Sequence, residues 1–286
     1  MTNIDKNDLT NTIIELMQTC GNDWKKSWAS NGINKNADGL AYNGMNQLKC
    51  MITASNNGYT SNVWYTYPQL LKKFGKGNFD VKGEKSITLI MPFKKIDKET
   101  GEELSFSFKA FNVFNQSQVK DCKFDNEEIK TKVFNDITSV ENFVNSLNAN
   151  IKFGGDQAFY RPSEDYIQMP EKTSFDNEVS YYGTLLHELA HWTKKDTRAG
   201  RKQSKNRKEY AYEELIAELS SIFLCAEFGI ETTPRIDHAQ YLNCWIKALG
   251  NDTKILRDAS NEAWKACQWL INESEDRLPN QIKLVA

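Results

Sequence analysis

The sequence predicts an α+β protein built as two units, a mixed helix–sheet unit followed by a mainly helical one. Three observations carry this. The chain has 286 residues, about twice the roughly 150 of an ordinary domain, and each half is large enough to bury a core. Apolar residues alternate at the strand period of two in parts of the first half and recur at helical spacing through most of the second. Apolar residues make up 40% and charged residues 26%, with a net charge of −2. That balance belongs to a globular chain and excludes a disordered or fibrous one.

Residues 9–20 place Leu9, Ile13, Leu16 and Met17 on one helical face. The stretch 24–62 is rich in Asn and Gly; within it Tyr42–Ser55 suits a helix that stops at Asn56-Asn57-Gly58. Tyr67–Phe74 reads as a short helix begun after Thr66, with Pro68 tolerated in the first turn. Val81–Lys85 is a turn into a strand, Ser86–Phe93, whose Ile87, Leu89, Met91 and Phe93 alternate with their neighbours. The polar loop Asp97–Gly101 and a second alternating run, Leu104–Ala110, complete a hairpin.

The charged, weakly patterned segment 121–136 suits a linker and sets the expected units at residues 1–130 and 131–286. A helix at Ser139–Leu147 follows, then short strands at Ile151–Phe153, Gln157–Tyr160 and Asp165–Gln168. Helical periodicity covers about 175–195, 209–228, 235–248 and 254–272.

Several function classes drop out. No uncharged apolar stretch approaches the roughly 20 residues that span a bilayer, so no membrane partner is expected. The polar start, Met1 to Asp8, does not read as a secretion signal. Six cysteines, at 20, 50, 122, 225, 244 and 267, include no C-x-x-C pair. Reduced thiols in a cytoplasmic protein fit better than a disulfide framework or a cysteine zinc ribbon.

Histidine is scarce: the chain has three, His187, His191 and His238. Two of them stand in His187-Glu188-Leu189-Ala190-His191. On a helix, positions i and i+4 share a face about 6 Å apart, so both imidazoles can reach one Zn²⁺ ion. Glu188 is rotated away from that face and can address a water as general base. Leu185, Leu186, Leu189 and Ala190 argue for a buried helix, where polar side chains need partners.

A third protein ligand is required. His238 is one candidate. The better one lies in Tyr210-Ala-Tyr-Glu213-Glu214-Leu-Ile-Ala-Glu218, where Glu214 and Glu218 share a helical face. Glu214 is expected as ligand, Glu218 as the acceptor that fixes a ligand histidine's tautomer, and Glu213 as a surface residue. Tyr210 and Tyr212 are candidates for stabilising an oxyanion. Between the two helices, Lys194–Lys208 holds eight positive residues and one acid. It reads equally as a solvated loop or as a phosphate contact.

The first half hides a charge asymmetry. From Trp24 to Lys95 there are 11 lysines against three acids, interleaved with ten aromatic residues. Lysine beside aromatic faces that stack unpaired bases is the physics of single-strand binding. A small aromatic core under a lysine-coated surface explains the same composition.

At this point the residues resemble a known family, the ArdC-type antirestriction proteins of plasmids and phages. In the first half the matching pieces are Trp24-Lys-Lys-Ser-Trp28, Ala41-Tyr-Asn-Gly-Met-Asn46, Gly58-Tyr59, Trp64-Tyr-Thr66, Gln69, Val81-Lys-Gly-Glu-Lys85 and Phe111-Asn-Val-Phe-Asn115 with Gln118. In the second they are Gly154-Gly155-Asp156, Ala158-Phe-Tyr160, Asp165–Pro170, His187–Thr193 and Tyr212–Leu219.

The resemblance implies a single-stranded-DNA-binding domain followed by a zincin-like metallopeptidase domain of the gluzincin type. It also implies protection of entering DNA from restriction. Its DNA contacts would fall on Lys26, Lys82 and Lys85, on stacking residues Trp24, Trp28, Tyr42 or Trp64, and on Asn46, Asn115 and Gln118. A protein substrate or a host restriction component is a further expected partner. Three readings follow: a DNA-tethered zinc protease, a DNA-binding module whose zincin domain is a scaffold or docking unit, and a hydrolase of another bond.

Overall fold

The computed structural model describes residues 32–96, 103–124, 137–230 apart from 176, 203 and 205, and 253–274. The helices expected at 9–20 and 235–248 lie outside these residues. The elements are β1 (Lys35–Asn36), α1 (Gly44–Asn57), β2 (Val63–Tyr65), α2 (Tyr67–Phe74), β3 (Ile87–Ile96) and β4 (Glu103–Asn115). They continue with α3 (Ile137–Ser146), β5 (Ile151–Phe153), β6 (Phe159–Arg161), β7 (Tyr166–Met169), α4 (Glu178–Trp192), α5 (Arg207–Phe228) and α6 (Thr253–Glu273).

Four strands form the first sheet in the order β1-β2-β4-β3. The expected hairpin is its long antiparallel pair, running from Ile87 opposite Val113 to Ile96 opposite Glu103. The three-residue strand β2, flanked by turn-forming residues, is too short for periodicity to reveal. It joins the sheet through Trp64 and Tyr65 opposite Asn115 and Phe114.

Helix α1 explains how the two halves meet. Every residue from Gly44 to Ala54 is buried, because the helix has a partner on each side. One side packs Cys50 and Ala54 with Trp64, Leu89 and Val113 of the sheet. The other sends Met45, Leu48, Met51 and Ile52 into a core shared with Val140, Ile167, Leu186, Leu219 and Ala263. The apolar core therefore runs across the boundary expected after residue 130.

The polar residues of α1 cover the edge strand β3. Asn46 Nδ2 donates to the Ile90 carbonyl (2.6 Å) and Asn46 Oδ1 accepts from the Ile90 N–H (3.1 Å). Lys49 Nζ donates to the Thr88 carbonyl. These bonds occupy backbone groups that would otherwise template intermolecular pairing. Gly44 is required at the α1–α6 contact: its φ is +41° and a Cβ there would collide with the Asn261 side chain.

The second sheet is small, in the order β5-β7-β6, with β5 parallel and β6 antiparallel to β7. It packs on α4. Small residues bring α5 and α6 together: Ala259, Ala263 and Ala266 are fully buried, and Cys267 Sγ donates to the Ser220 carbonyl. No helix among the described residues is long and apolar enough to cross a membrane.

Candidate functional site

Helix α4 begins where Asn177 accepts a hydrogen bond from the Ser180 N–H, with Glu178 in the first turn, both favourable at a helix N-terminus. Leu185, Leu186 and Leu189 sit in the core and fix the rotation of the helix, which turns His187 and His191 toward α5. Helix α5 starts in the same manner, with Asn206 Oδ1 accepting from the Glu209 N–H, and closes at Gly229 with φ +64°, the left-handed stop glycine favours. Ser221 Oγ donates to the Gly183 carbonyl and ties the two helices together.

Three side chains converge between them. His187 Nε2 and His191 Nε2 lie 3.1 Å apart. Glu214 sets one carboxylate oxygen 3.6 Å from His187 Nε2 and the other 3.5 Å from His191 Nε2. Metal–nitrogen bonds of 2.0–2.1 Å imply tetrahedral edges of about 3.3–3.4 Å between donors, and the three observed separations bracket that value. Among the described residues these three form the cluster of donors able to hold a metal. Two neutral imidazoles and a carboxylate fit a divalent ion, Zn²⁺ or Mn²⁺ alike.

Glu218, one turn beyond Glu214, places Oε1 3.5 Å from the buried His187 Nδ1. This is long for a hydrogen bond, but it is the position from which a carboxylate holds the imidazole with Nε2 facing the centre. Glu188 is buried. Burial raises its pKa against the opposing pull of His187 and His191, and the Tyr160 backbone N–H of β6 also faces the carboxylate. A carboxyl so raised holds a transferred proton more firmly than an ordinary carboxylate does.

Glu213 corrects the sequence reading: it is not a surface residue but is buried at the same site. Its Oε1 accepts from His191 Nδ1 at 3.3 Å. Arg201 grips the same carboxylate with two bonds, Nε to Oε2 at 3.1 Å and a terminal nitrogen to Oε1 at 2.7 Å. The guanidinium also donates to Thr193 Oγ1 and to the Ala190 carbonyl at the end of α4. Burial would push the Glu213 carboxyl up, but the bonds from His191 and Arg201 outweigh it and hold it at about 2. Burial likewise works against a charged His191, yet Glu213 and Glu214 raise it to about 10. Glu214 is held well below the ordinary carboxylate range by the two histidines, despite its burial. Surroundings this negative favour a divalent cation as they favour a proton.

The basic loop between α4 and α5 is largely committed to structure. Arg198 and Lys195 both bind Asp165, at 2.7 and 2.6 Å, and the Arg198 guanidinium lies 3.6 Å over the Trp192 ring. Lys194 Nζ is buried beside Ser204 Oγ and Glu213. Lys202 and Lys208 are exposed. Of the oxyanion candidates, Tyr210 is 55% exposed and Tyr212 is half-buried, close to Asp258 and Glu262 of α6 and also to Glu213 and Arg201.

The DNA-contact candidates divide. Trp24, Lys26 and Trp28 lie outside the described residues, as does His238, the other candidate for the third metal ligand. Lys82 and Lys85 are exposed. Tyr42 and Trp64 are buried, Trp64 completely, with its indole N–H donating to Asn34 Oδ1 at 2.7 Å; neither ring offers a stacking face here. Asn46 covers β3, as described above. Asn115 and Gln118 are buried and cap the turn after β4, Asn115 N–H donating to Gln118 Oε1 and Asn115 Nδ2 to the Ser61 carbonyl. These three residues hold the scaffold. Their amides carried no sequence signal separating a backbone cap from a ligand contact.

A family profile described as the N-terminal domain of anti-restriction factor ArdC matches residues 5–134. A second, described as a zincin-like metallopeptidase, matches residues 138–262. The protein y4eC of Sinorhizobium fredii is 29% identical over 290 residues, covering 96% of this chain and 94% of that one. DNA primase TraC of Escherichia coli is 30% identical over 299 residues, covering 94% of this chain but only 27% of the primase.

Two crystal structures of the antirestriction ArdC protein from the R388 plasmid share the fold. The metal-free form has a TM-score of 0.75 at 30% identity, covering 94% of this chain and 98% of that one. The Mn(II)-bound form has a TM-score of 0.76 at 31% identity, covering 96% and 99%. On its two family matches and this full-length likeness, the chain belongs to the ArdC family of antirestriction proteins.

Proposed function

We propose that this protein binds single-stranded DNA through its first half and hydrolyses a peptide bond at the His187–His191–Glu214 centre of its second. The observation that carries the hydrolytic reading is Glu188. It is a buried carboxyl on the helix that presents both histidines, it has raised proton affinity, and it faces the outer edge of β6.

A bound divalent ion, Zn²⁺ by the donor set or Mn²⁺ as in the R388 relative, would supply the positive charge that acidifies water and polarises a carbonyl. The rest is done by the chain. His187 and His191 present their Nε2 atoms, with Glu218 and Glu213 behind them. A Glu188 oxygen takes the proton of the attacking water and later delivers it to the leaving amine. β6 pairs with β7 on one side only, which leaves an edge beside Glu188 where an extended substrate strand can pair.

For the first half, the exposed Lys82 and Lys85 and the lysine excess support phosphate contact without sequence reading. Together the halves describe a DNA-tethered metallopeptidase acting on proteins at entering DNA. A second reading, a DNA-binding module whose zincin domain docks a partner, is favoured by the continuous core through α1, which makes the second half a structural support for the first.

The test joins two assays. Glu188→Gln should keep metal and single-strand binding while losing cleavage of a casein or peptide-library substrate. Restriction-protection by Glu188→Gln equal to wild type would favour the docking reading. Hydrolysis undiminished in the variant would contradict the role of Glu188.

A further inference from the structure

We propose that a run of aromatic rings on and around α2, bordered by lysines, is the platform on which a single nucleic-acid strand lies. The inference rests on the single-strand reading above and gives that reading a surface.

The rings follow one another. Tyr67 and Phe79 have centroids 5.5 Å apart, Phe79 and Phe74 6.3 Å, and Phe74 and Phe124 5.0 Å. Tyr67, at the start, is 47% exposed, one of three large apolar side chains so exposed among the described residues. Phe74, Phe79 and Phe124 are half-buried, so the run has a seated side and an open one.

The mounting is rigid. Thr66 and Gln69 cap each other reciprocally and Pro68 fills the first turn, which fixes the backbone that carries Tyr67. A preset platform gives up little conformational entropy on binding. Leu70 is the one buried residue of α2, and Tyr67, Pro68, Lys72 and Lys73 are exposed.

The charge fits an anionic chain. Residues 67–79 hold three lysines, Lys72, Lys73 and Lys76, and no acid; all three are exposed. Lys73 Nζ lies 5.7 Å from the Phe74 centroid. Of the acids that follow, Asp80 accepts the Lys82 N–H and Glu84 is bound to Lys120 at 2.8 Å. Lys82, beyond Asp80, is a further exposed cation.

Part-exposed rings among point cations suit flat, unpaired bases on a phosphate backbone. Duplex DNA hides its base faces. Protein interfaces are depleted in lysine. The occupant is thus a single strand, held without sequence preference.

The experiment measures binding of a fluorescein-labelled oligothymidylate to the full chain across a salt series. Tyr67→Ala should weaken binding roughly tenfold, the order of one lost stacking contact, while Tyr67→Phe binds as wild type. The combined Lys72→Ala, Lys73→Ala and Lys76→Ala variant should lower the slope of log affinity against log salt by about 2. Matching circular dichroism and melting temperatures confirm that the variants are folded, and photocrosslinking of a bromouracil-substituted strand should label Tyr67 or Phe79. Wild-type binding with both variants unchanged overturns the platform and leaves the single-strand reading standing. Absence of binding by the wild type overturns that reading and the platform with it. Equal affinity for duplex and single strand also overturns the platform.

Discussion

Arg201 holds Glu213 by a buried two-point ion pair, and Glu213 in turn accepts from His191 Nδ1. The loop after α4 thereby reaches back to fix the tautomer of a candidate metal ligand, with His191 Nε2 left facing Glu214. Arg201→Met should weaken metal binding by about 10–100-fold, the usual cost of removing a partner behind a ligand, read by competition with a chromophoric chelator. It should also lower stability, because removing one partner of a buried ion pair costs about 3–5 kcal/mol. The double variant Arg201→Met with Glu213→Met should recover stability without recovering affinity. Wild-type affinity in either variant would remove Glu213 from the site.

Asp165 binds that same loop from the β6–β7 turn, with φ +54°. Arg198 above all, and Lys195 and Tyr160, hold its carboxyl well below the usual range against modest desolvation. A depressed folded pKa contributes stability that is present above the unfolded value, about 3.9, and is lost as pH falls below it. Asp165→Asn tolerates the left-handed backbone, so it should melt lower than wild type at pH 7 and show a shallower loss between about pH 5 and 3. Parallel melting curves over that range would contradict the clamp.

The two glycines Gly44 and Gly183 should respond oppositely to alanine. At Gly44 the positive φ and the Asn261 side chain oppose a Cβ, and the α1–α6 contact should lose about 1–3 kcal/mol. Gly183 lies in α4 with open space where a Cβ would go, and alanine there should be neutral or add up to about 1 kcal/mol. Thermal denaturation of the pair measures both.

Trp64→Phe should destabilise the first half by about 1–3 kcal/mol, through the lost Asn34 bond and the space left behind, with no change in single-strand affinity once folded. A selective loss of affinity with unchanged melting temperature would return Trp64 to the binding face.

What the sequence made legible follows the range of the interactions involved. The strand alternation of Ile87, Leu89 and Met91, the cap–proline start of Tyr67–Phe74, and the four-residue spacings of His187/His191 and Glu214/Glu218 are local. Each appears in the structure where the pattern put it. Glu213 reads as a surface residue because nothing within α5 reveals that Arg201, 12 residues upstream, folds back onto it. Trp64 and Tyr42 look like stacking residues because composition reports aromatic content and not burial. β2, at three residues, carries no period, and its pairing with β4 spans about fifty residues of chain. The double burial of α1 was hidden for the same reason: its second partner, α6, begins at residue 253.

Metal content tests the His187–His191–Glu214 centre most directly. Purified wild-type protein, loaded with Zn²⁺ or Mn²⁺ and desalted, should carry about one equivalent by elemental analysis, with His187→Ala and Glu214→Ala each losing most of it while remaining folded. Equal metal in wild type and in both variants would contradict the assignment of His187, His191 and Glu214 as a metal site.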